Sequence, residues 1–140
     1  MTSEPVMTIN RYGDKMWRQN GHLHRTDGPA AEWADGDKEW WQNGCLHRTD
    51  GPAIEYADGT KVWYLHGIRY DPAGPTPVVL AVDTEDTGWG LLRVGTRYLA
   101  GCRRFATAED ALAHWRNKGT PRARLFVPAL ENELQFRSEP

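Results

Sequence analysis

The chain has 140 residues, with 17 Lys or Arg against 19 Asp or Glu, so its formal net charge is −2. This near balance excludes a uniformly basic nucleic-acid coat protein and a strongly acidic nucleic-acid mimic. No window approaches the roughly 18 apolar residues of a membrane span, no signal peptide is apparent, and two cysteines are too few for a disulfide scaffold, so we expect a cytoplasmic protein.

A 23-residue repeat follows residues 1–10, which we expect to form a flexible N-terminal segment. Residues 15–37 and 38–60 align along their length and share the unbroken string LHRTDGPA. A third copy begins at residue 61 as KVWYLHGIRYDPAGP and then decays. Such fading is expected where a stack of repeats must be capped.

Turn signals divide each copy into short segments. Asn20-Gly21 and Asn43-Gly44 favour type I′ hairpin turns, which need positive φ at both central residues. Asp-Gly pairs add further breaks, so that only three to six residues lie between them, too few for a helix. The pattern predicts a mainly β region over residues 11–72, an antiparallel meander or hairpin stack of 23-residue units.

Aromatic residues recur once per copy. The first set is Trp17, Trp40 and Trp63. Because successive strand residues face opposite sides, we expect this set in the core and its neighbours Arg18, Trp41 and Tyr64 on the other face. Aromatic and Arg side chains often anchor protein interfaces, so these three neighbours form a candidate binding strip.

The spacing W-x-x-NG-x-x-HR-x-DGPA resembles MORN-type repeats. It is more closely similar to the HRxDGPA variants that are common in phage and large-virus proteins. The resemblance covers residues 11 to about 72. It implies β-hairpins stacked side by side, used for protein or membrane-surface contacts, without conserved catalytic chemistry.

The second half changes character after a Pro-rich linker at residues 73–78. Residues 79–136 predict a small α+β unit, followed by a tail at 137–140. Its strand signals are Val78–Val82 and a hairpin of residues 91–94 with 97–100.

A capping box from Thr107 to Asp110 predicts a helix that continues through Trp115 and stops by Gly119. The sequence does not decide whether the apolar stretch from residue 125 to 134 is helical, because Pro128 would interrupt a helix there.

Basic residues concentrate between positions 93 and 124, where eight Lys or Arg and two acidic residues give a net charge of +6. Such a segment suits phosphates or an acidic protein surface, although arginines on short strands are also typical of a solvated face. The candidate binding residues are Arg103, Arg104, Arg116, Lys118, Arg122 and Arg124.

A zinc site is one hypothesis for the repeats, because His22, His24, Cys45 and His47 are ligand types that zinc prefers. Equivalent strands would have to be direct neighbours, whereas a meander separates them by about 10–15 Å. We therefore predict no metal or cofactor. The alternative is that the His-Arg pairs bond turn carbonyls or the nearby Asp27 and Asp50.

Catalytic hypotheses are weaker. Cys102 beside two arginines, with His114 as a base, matches a cysteine nucleophile, but core and surface roles are more common for such residues. Asp83, Glu85 and Asp86 could suggest a cation loop, but their spacing fits no EF-hand, and we expect a solvated loop there. We therefore expect no catalytic residues.

Together these patterns predict a non-enzymatic protein-binding module. The resemblance further implies a phage-encoded accessory protein that binds and inhibits a host protein or defence complex in the host cytoplasm. The alternative is a nucleic-acid-binding accessory protein that uses the basic cluster. An open sheet edge at Lys61–Tyr70 would also allow a homodimer.

Overall fold

The computed structural model describes residues 4–83, 89–100 and 103–138. Within these ranges the protein is mainly antiparallel β-sheet, with two helices near the C-terminus, which confirms the predicted fold class. The chain forms two compact units. We call the described residues up to Arg69 the repeat unit and those from Tyr70 onward the C-terminal unit.

Ten of the described strands begin in the repeat unit. They are β1 (Val6–Ile9), β2 (Lys15–Gln19), β3 (His22–Leu23), β4 (Ala31–Glu32), β5 (Lys38–Glu39), β6 (Trp41–Gln42), β7 (Cys45–Leu46), β8 (Ile54–Glu55), β9 (Lys61–Leu65) and β10 (Ile68–Tyr70). The main sheet has the order β1-β2-β4-β5-β8-β9-β10, β3 pairs with β2, and β6 pairs with β7 separately. One strand therefore separates the equivalent strands β2, β5 and β9, as a meander requires.

Two-residue turns close the hairpins at equivalent places. Asn20-Gly21 has φ values of 53° and 81°, and Asn43-Gly44 has 52° and 81°. The third copy uses His66-Gly67 with φ values of 48° and 81°. Left-handed backbone at both positions is what a type I′ turn needs, which confirms the two predicted turns.

The N-terminus differs from the expectation of a flexible segment. Val6–Ile9 forms β1, paired with β2 from Val6 opposite Arg18 to Ile9 opposite Lys15. In the following turn the Asn10 N–H donates to the Asp14 carbonyl over 3.1 Å, as Trp33 does to Asp37 over 2.9 Å. The repeat pattern thus extends upstream of residue 11, where the HRTDGPA string does not occur.

The buried side chains of the repeat unit are small or moderate in size. They include Ala30, Ala31, Ala53, Cys45 and Ile68. The tryptophans that we predicted as core, at positions 17, 40 and 63, are instead half-buried. This unit does not assemble its core from large rings.

The C-terminal unit contains β11 (Val78–Val82), β12 (Gly90–Val94), β13 (Arg97–Ala100), β14 (Arg103–Phe105), α1 (Ala108–Trp115) and α2 (Pro121–Ser138). Its strands form one antiparallel sheet in chain order. As predicted, Thr107 caps α1 by accepting from the Asp110 N–H over 3.1 Å. The apolar core joins sheet and helices through Leu91, Trp115, Phe126 and Leu130.

Helix α2 includes residues 125–134, the stretch for which the sequence did not decide between helix and other structure. Thr120 accepts from the Ala123 N–H over 3.1 Å, and Pro121 occupies the first helical position, where no N–H is needed. The helix then continues through Pro128. An internal proline costs roughly 3 kcal/mol, which burial of Ala123, Phe126 and Leu130 on one face offsets.

Candidate functional site

The string HRTDGPA builds an arginine clamp. Arg25 Nε donates to Asp27 Oδ1 over 2.8 Å, its Nη1 donates to the Pro29 carbonyl over 3.1 Å, and its guanidinium lies 3.9 Å from the ring centre of Trp17. In the next copy, Arg48 makes the same contacts with Asp50, Pro52 and Trp40 at 2.8, 3.0 and 3.9 Å. The arginines thus cover two of the tryptophans and hold each Asp-Gly-Pro turn.

Glycine in this string leaves space for the clamp. A Cβ at Gly28 would lie 3.1 Å from Arg25 Cζ, and one at Gly51 would lie 2.9 Å from Arg48 Cζ. The alanine that ends the string is fully buried, and its N–H donates to the next copy. The hydrogen bond of the buried alanine thus joins successive copies, whereas the glycine acts within its own copy.

The histidines join one copy to the next. His24 Nδ1 accepts from the Asn43 N–H over 3.0 Å, and His47 Nδ1 accepts from the His66 N–H over 2.9 Å. Each imidazole therefore holds the hairpin turn of the following copy. We expected side chains here to bond turn carbonyls or aspartates; the arginines do so, whereas the histidines accept backbone N–H groups.

Burial maintains the protonation state that this contact needs. Burial, together with the smaller effect of the neighbouring charge of His66, lowers the pKa of His47 from 6.5 to about 4. Burial also lowers the pKa of His24. The two imidazoles are therefore neutral near pH 7, as a nitrogen that accepts must be.

The zinc hypothesis finds no support in this geometry. Among the described residues, no group of three or more His, Cys, Asp or Glu side chains is placed to hold a metal ion. His24 and His47 already use Nδ1 for backbone contacts, and Cys45 is buried.

A groove of about 450 Å³ lies between the clamps of the first two copies. Its rim carries Thr26 and Thr49, which are exposed, and Asp27 and Asp50, whose side chains are 82% and 81% exposed. The hydrogen bond and charge of Arg48 lower the pKa of Asp50. The groove thus offers carboxylates and hydroxyls in a repeated arrangement.

The side chains of the predicted strip, Arg18, Trp41 and Tyr64, differ in their exposure to solvent. Arg18 is exposed, whereas Trp41 and Tyr64 are half-buried. The Trp41 Nε1 atom is buried and finds no hydrogen-bond partner in the described part of the chain. Of these three side chains, only Arg18 is largely accessible.

Most of the basic cluster is accessible. The exposed members are Arg103, Arg104, Arg116, Lys118 and Arg124. Arg122 is half-buried, with Nε 4.0 Å from Asp83 Oδ2. Burial and, to a smaller extent, the charges of Lys118 and Arg103 lower the pKa of His114. Positive charge is therefore concentrated near the end of α1.

Parts of the cysteine-nucleophile and cation-loop hypotheses fall on residues that the structure does not describe. Cys102, Glu85 and Asp86 lie outside the described residues. Asp83, which the sequence grouped with a solvated loop, is buried and faces Arg122.

Reasoning from sequence also missed Glu133. Both of its oxygens accept from Arg93 Nη1, at 3.0 and 2.9 Å, and Oε2 also accepts from Tyr98 OH at 2.8 Å. This network borders a cavity of about 380 Å³. A single Glu in a stretch without clear periodicity carries no signal that predicts such a contact.

Comparison of the chain with protein-family models, curated proteins and solved structures found no match. Within the described ranges, neither helix has the length and apolar character required to cross a membrane.

Proposed function

We propose that this protein is a non-enzymatic protein-binding module, a MORN-like repeat protein of phage type that binds and inhibits a host protein or defence complex in the host cytoplasm. The observation that supports binding is the groove between the two clamps. Its rim repeats the same Thr-Asp pair in successive copies, which suits an elongated partner rather than a single small molecule.

The clamps prepare the groove for binding. Each guanidinium is already fixed by an aspartate, a carbonyl and a tryptophan ring, so less side-chain entropy is lost when a partner docks. Equivalent positions are two strand spacings apart, about 10 Å. An extended partner segment, which advances about 3.3 Å per residue, therefore meets equivalent groups every three residues.

The chemistry of the rim favours a partner that donates hydrogen bonds. The exposed oxygens of Asp27 and Asp50 accept hydrogen bonds from Lys, Arg or backbone N–H groups. A non-enzymatic role agrees with the use of His24 and His47, whose Nδ1 atoms hold backbone N–H groups and are not free to accept a proton from a substrate.

The test is affinity capture from nuclease-treated host lysate, comparing the native chain with the double variant Thr26→Arg, Thr49→Arg. The new side chains fill the rim and repel a basic partner. We expect retention of the specific protein to fall at least about tenfold, equivalent to about 1.4 kcal/mol.

The matched control is Thr76→Arg, which adds the same side chain at an exposed position in the C-terminal unit. It should retain the partner at the native level. Equal retention by the groove variant and the native chain would contradict binding through this groove.

The basic cluster supports a second candidate function, nucleic-acid binding. Five exposed cationic side chains lie in β14 and around the two helices, where phosphate contacts are accessible. The distinguishing measurement is the salt dependence of duplex DNA binding, which should follow a log–log slope near −0.9 per phosphate contact. The double variant Arg103→Glu, Arg104→Glu should make that slope less steep. The groove variant Thr26→Arg, Thr49→Arg should not.

A further inference from the structure

Two hairpin turns of the repeat unit have the same sequence but different surroundings. We call Asn20-Gly21 the first turn and Asn43-Gly44 the second turn; their φ values are 53° and 81° against 52° and 81°. In the second turn, the asparagine N–H donates to His24 Nδ1 and the glycine N–H donates to the Leu23 carbonyl, each over 3.0 Å. Both acceptors belong to the preceding copy, which therefore secures the second turn.

The first turn has no preceding HRTDGPA string to dock on. In the part of the chain that the structure describes, the Gly21 N–H donates to no acceptor. Both residues of this turn are exposed, and a Cβ added at Gly21 would meet no atom within 4 Å. Gly44, in contrast, is half-buried, and a Cβ there would lie 3.1 Å from His22 Nδ1. The glycine nitrogen of the first turn is therefore accessible, whereas that of the second turn is engaged and partly covered.

We infer that Asn20 is a site of spontaneous deamidation and that the preceding copy protects Asn43 from the same reaction. The Gly21 nitrogen attacks Asn20 Cγ; the N–Cγ bond forms, the Cγ–Nδ2 bond breaks, and Nδ2 leaves as ammonia with the former Gly21 proton. Water then opens the succinimide ring. Hydrolysis of the new N–Cγ bond gives aspartate, and hydrolysis of the original peptide bond gives isoaspartate. Glycine favours the attack because it has no Cβ to shield its nitrogen.

Local opening of the turn controls the rate of this reaction. Ring closure requires rotation about the asparagine Cα–C bond, away from the type I′ conformation, so the rate follows the population in which the turn is open. Opening of the second turn must also break its two hydrogen bonds to the preceding copy. Loss of two such bonds lowers the open population by roughly tenfold or more, and Asn43 should react more slowly than Asn20 by about this factor.

Other pairs that end in glycine are held by their own turns. The N–H groups of Gly36 and Gly59, in two of the Asp-Gly pairs, each donate to a backbone carbonyl over 2.9 Å. Asp27 and Asp50, in two others, each accept from a clamp arginine over 2.8 Å. The third turn, His66-Gly67, has no amide side chain that could form the ring. Among these pairs, the first turn thus combines an amide side chain with an accessible glycine nitrogen.

The reaction changes the hairpin in which it occurs. Isoaspartate routes the main chain through Cβ and Cγ and therefore adds one backbone atom to a two-residue turn. The register of β2 and β3, in which Gln19 lies opposite His22, depends on the length of this turn. We therefore expect the isoaspartate form to lose the pairing of β3 with β2.

The experiment is incubation of the full chain at mildly alkaline pH, followed by tryptic peptide mapping with mass spectrometry at successive times. Trypsin places the two asparagines in different peptides, and Gln precedes both Asn-Gly pairs, so the local sequences are matched. In the folded chain, Asn20 should convert at least roughly tenfold faster than Asn43. In concentrated urea the two should convert at similar rates, because neither turn persists there.

A variant tests the protection of the second turn directly. His24→Phe removes the acceptor of the Asn43 N–H but keeps an aromatic ring, so conversion of Asn43 should accelerate roughly fivefold while that of Asn20 keeps its native rate. The matched control His114→Phe, in the C-terminal unit, should change neither rate. Circular dichroism verifies that each variant is folded, and the comparison of the native chain with and without urea does not depend on them. Equal rates in the folded native chain, no conversion of Asn20, or no acceleration in folded His24→Phe would overturn the inference.

Discussion

The two units of this protein are stabilised by different means. In the repeat unit, polar contacts recur at fixed positions: arginine clamps hold turns, and histidines join one copy to the next. In the C-terminal unit, Trp115 and Phe126 pack edge to face at 5.1 Å inside a continuous apolar core. The comparison shows that short strands can be stabilised by repeated polar contacts where large buried side chains are few.

The contrast also appears within the repeat unit. The third copy keeps the hairpin turn at His66-Gly67 but lacks the HRTDGPA string and therefore its clamp. In place of a further clamp, it docks its turn on His47 of the preceding copy. The last copy thus depends on its neighbour more than it supports one, as expected of a terminal repeat.

The largest expected effect lies in the apolar core. Phe126→Ala should lower the free energy of unfolding of the C-terminal unit by about 3–5 kcal/mol, because it removes a fully buried ring and leaves a cavity. Hydrogen exchange resolved by residue should show the loss in α1, α2 and their sheet. Leu125→Ala, at an exposed neighbouring position, should have little effect, and equal losses from both changes would contradict the assigned core.

Acid should selectively weaken the repeat unit. The folded pKa of His47 is about 4, against 6.5 in the unfolded chain. Between these values only the unfolded state binds the proton, so stability is full above pH 6.5 and falls as pH drops toward 4, by up to about 3 kcal/mol. Urea titrations at several pH values measure this loss.

A variant isolates the histidine contribution. His47→Asn keeps an acceptor for the His66 N–H but does not titrate, so its stability should change less between pH 6.5 and 4.5. His22→Asn, at an exposed position, should behave as the native chain. Carboxylates such as Asp14 have folded pKa values below their ordinary value of 3.8. Their effect on stability is therefore lost mainly below pH 4, outside this window. An unchanged pH profile for His47→Asn would refute the role of this imidazole.

Removal of a clamp should have a smaller effect. Arg48→Met keeps much of the aliphatic stem over Trp40 but loses the bonds to Asp50 and to the Pro52 carbonyl. We expect a loss of about 2 kcal/mol, typical of hydrogen bonds that involve a charged group, measured by urea unfolding. Arg18→Met, which removes an exposed arginine, should stay within about 0.5 kcal/mol. A similar loss from both would show that the clamp contributes nothing specific.

The smallest expected effect concerns the third turn. His66→Asn restores the Asn-Gly pair of the first two copies, and Asn adopts left-handed backbone more readily than His. Stability near pH 7 should rise by less than about 1 kcal/mol. The same change removes a charge that lowers the pKa of His47, so that pKa should rise, as an NMR titration would show. A fall in the His47 pKa would contradict the assigned coupling.

Much of the fold could be predicted from local patterns. Repetition with Asn-Gly turns predicted the hairpins, and the Thr107 capping box predicted α1, because turn and cap preferences act within a few residues. The extent of β1 and of α2 could not be predicted this way. Val6–Ile9 lacks the repeated string, and α2 contains Pro128; in both, pairing or burial against distant residues outweighs the local signal.

The candidate site shows the same division. The sequence by itself determined that HRTDGPA recurs every 23 residues and that its Arg and Asp lie close together, since they are two residues apart. Only the tertiary structure decided that His24 and His47 accept from the next copy's turn and that two clamps enclose a groove. Those contacts join residues 19 positions apart, and only the packing of one copy against the next, with backbone bonds such as that from Gly44 N–H to the Leu23 carbonyl, brings them together.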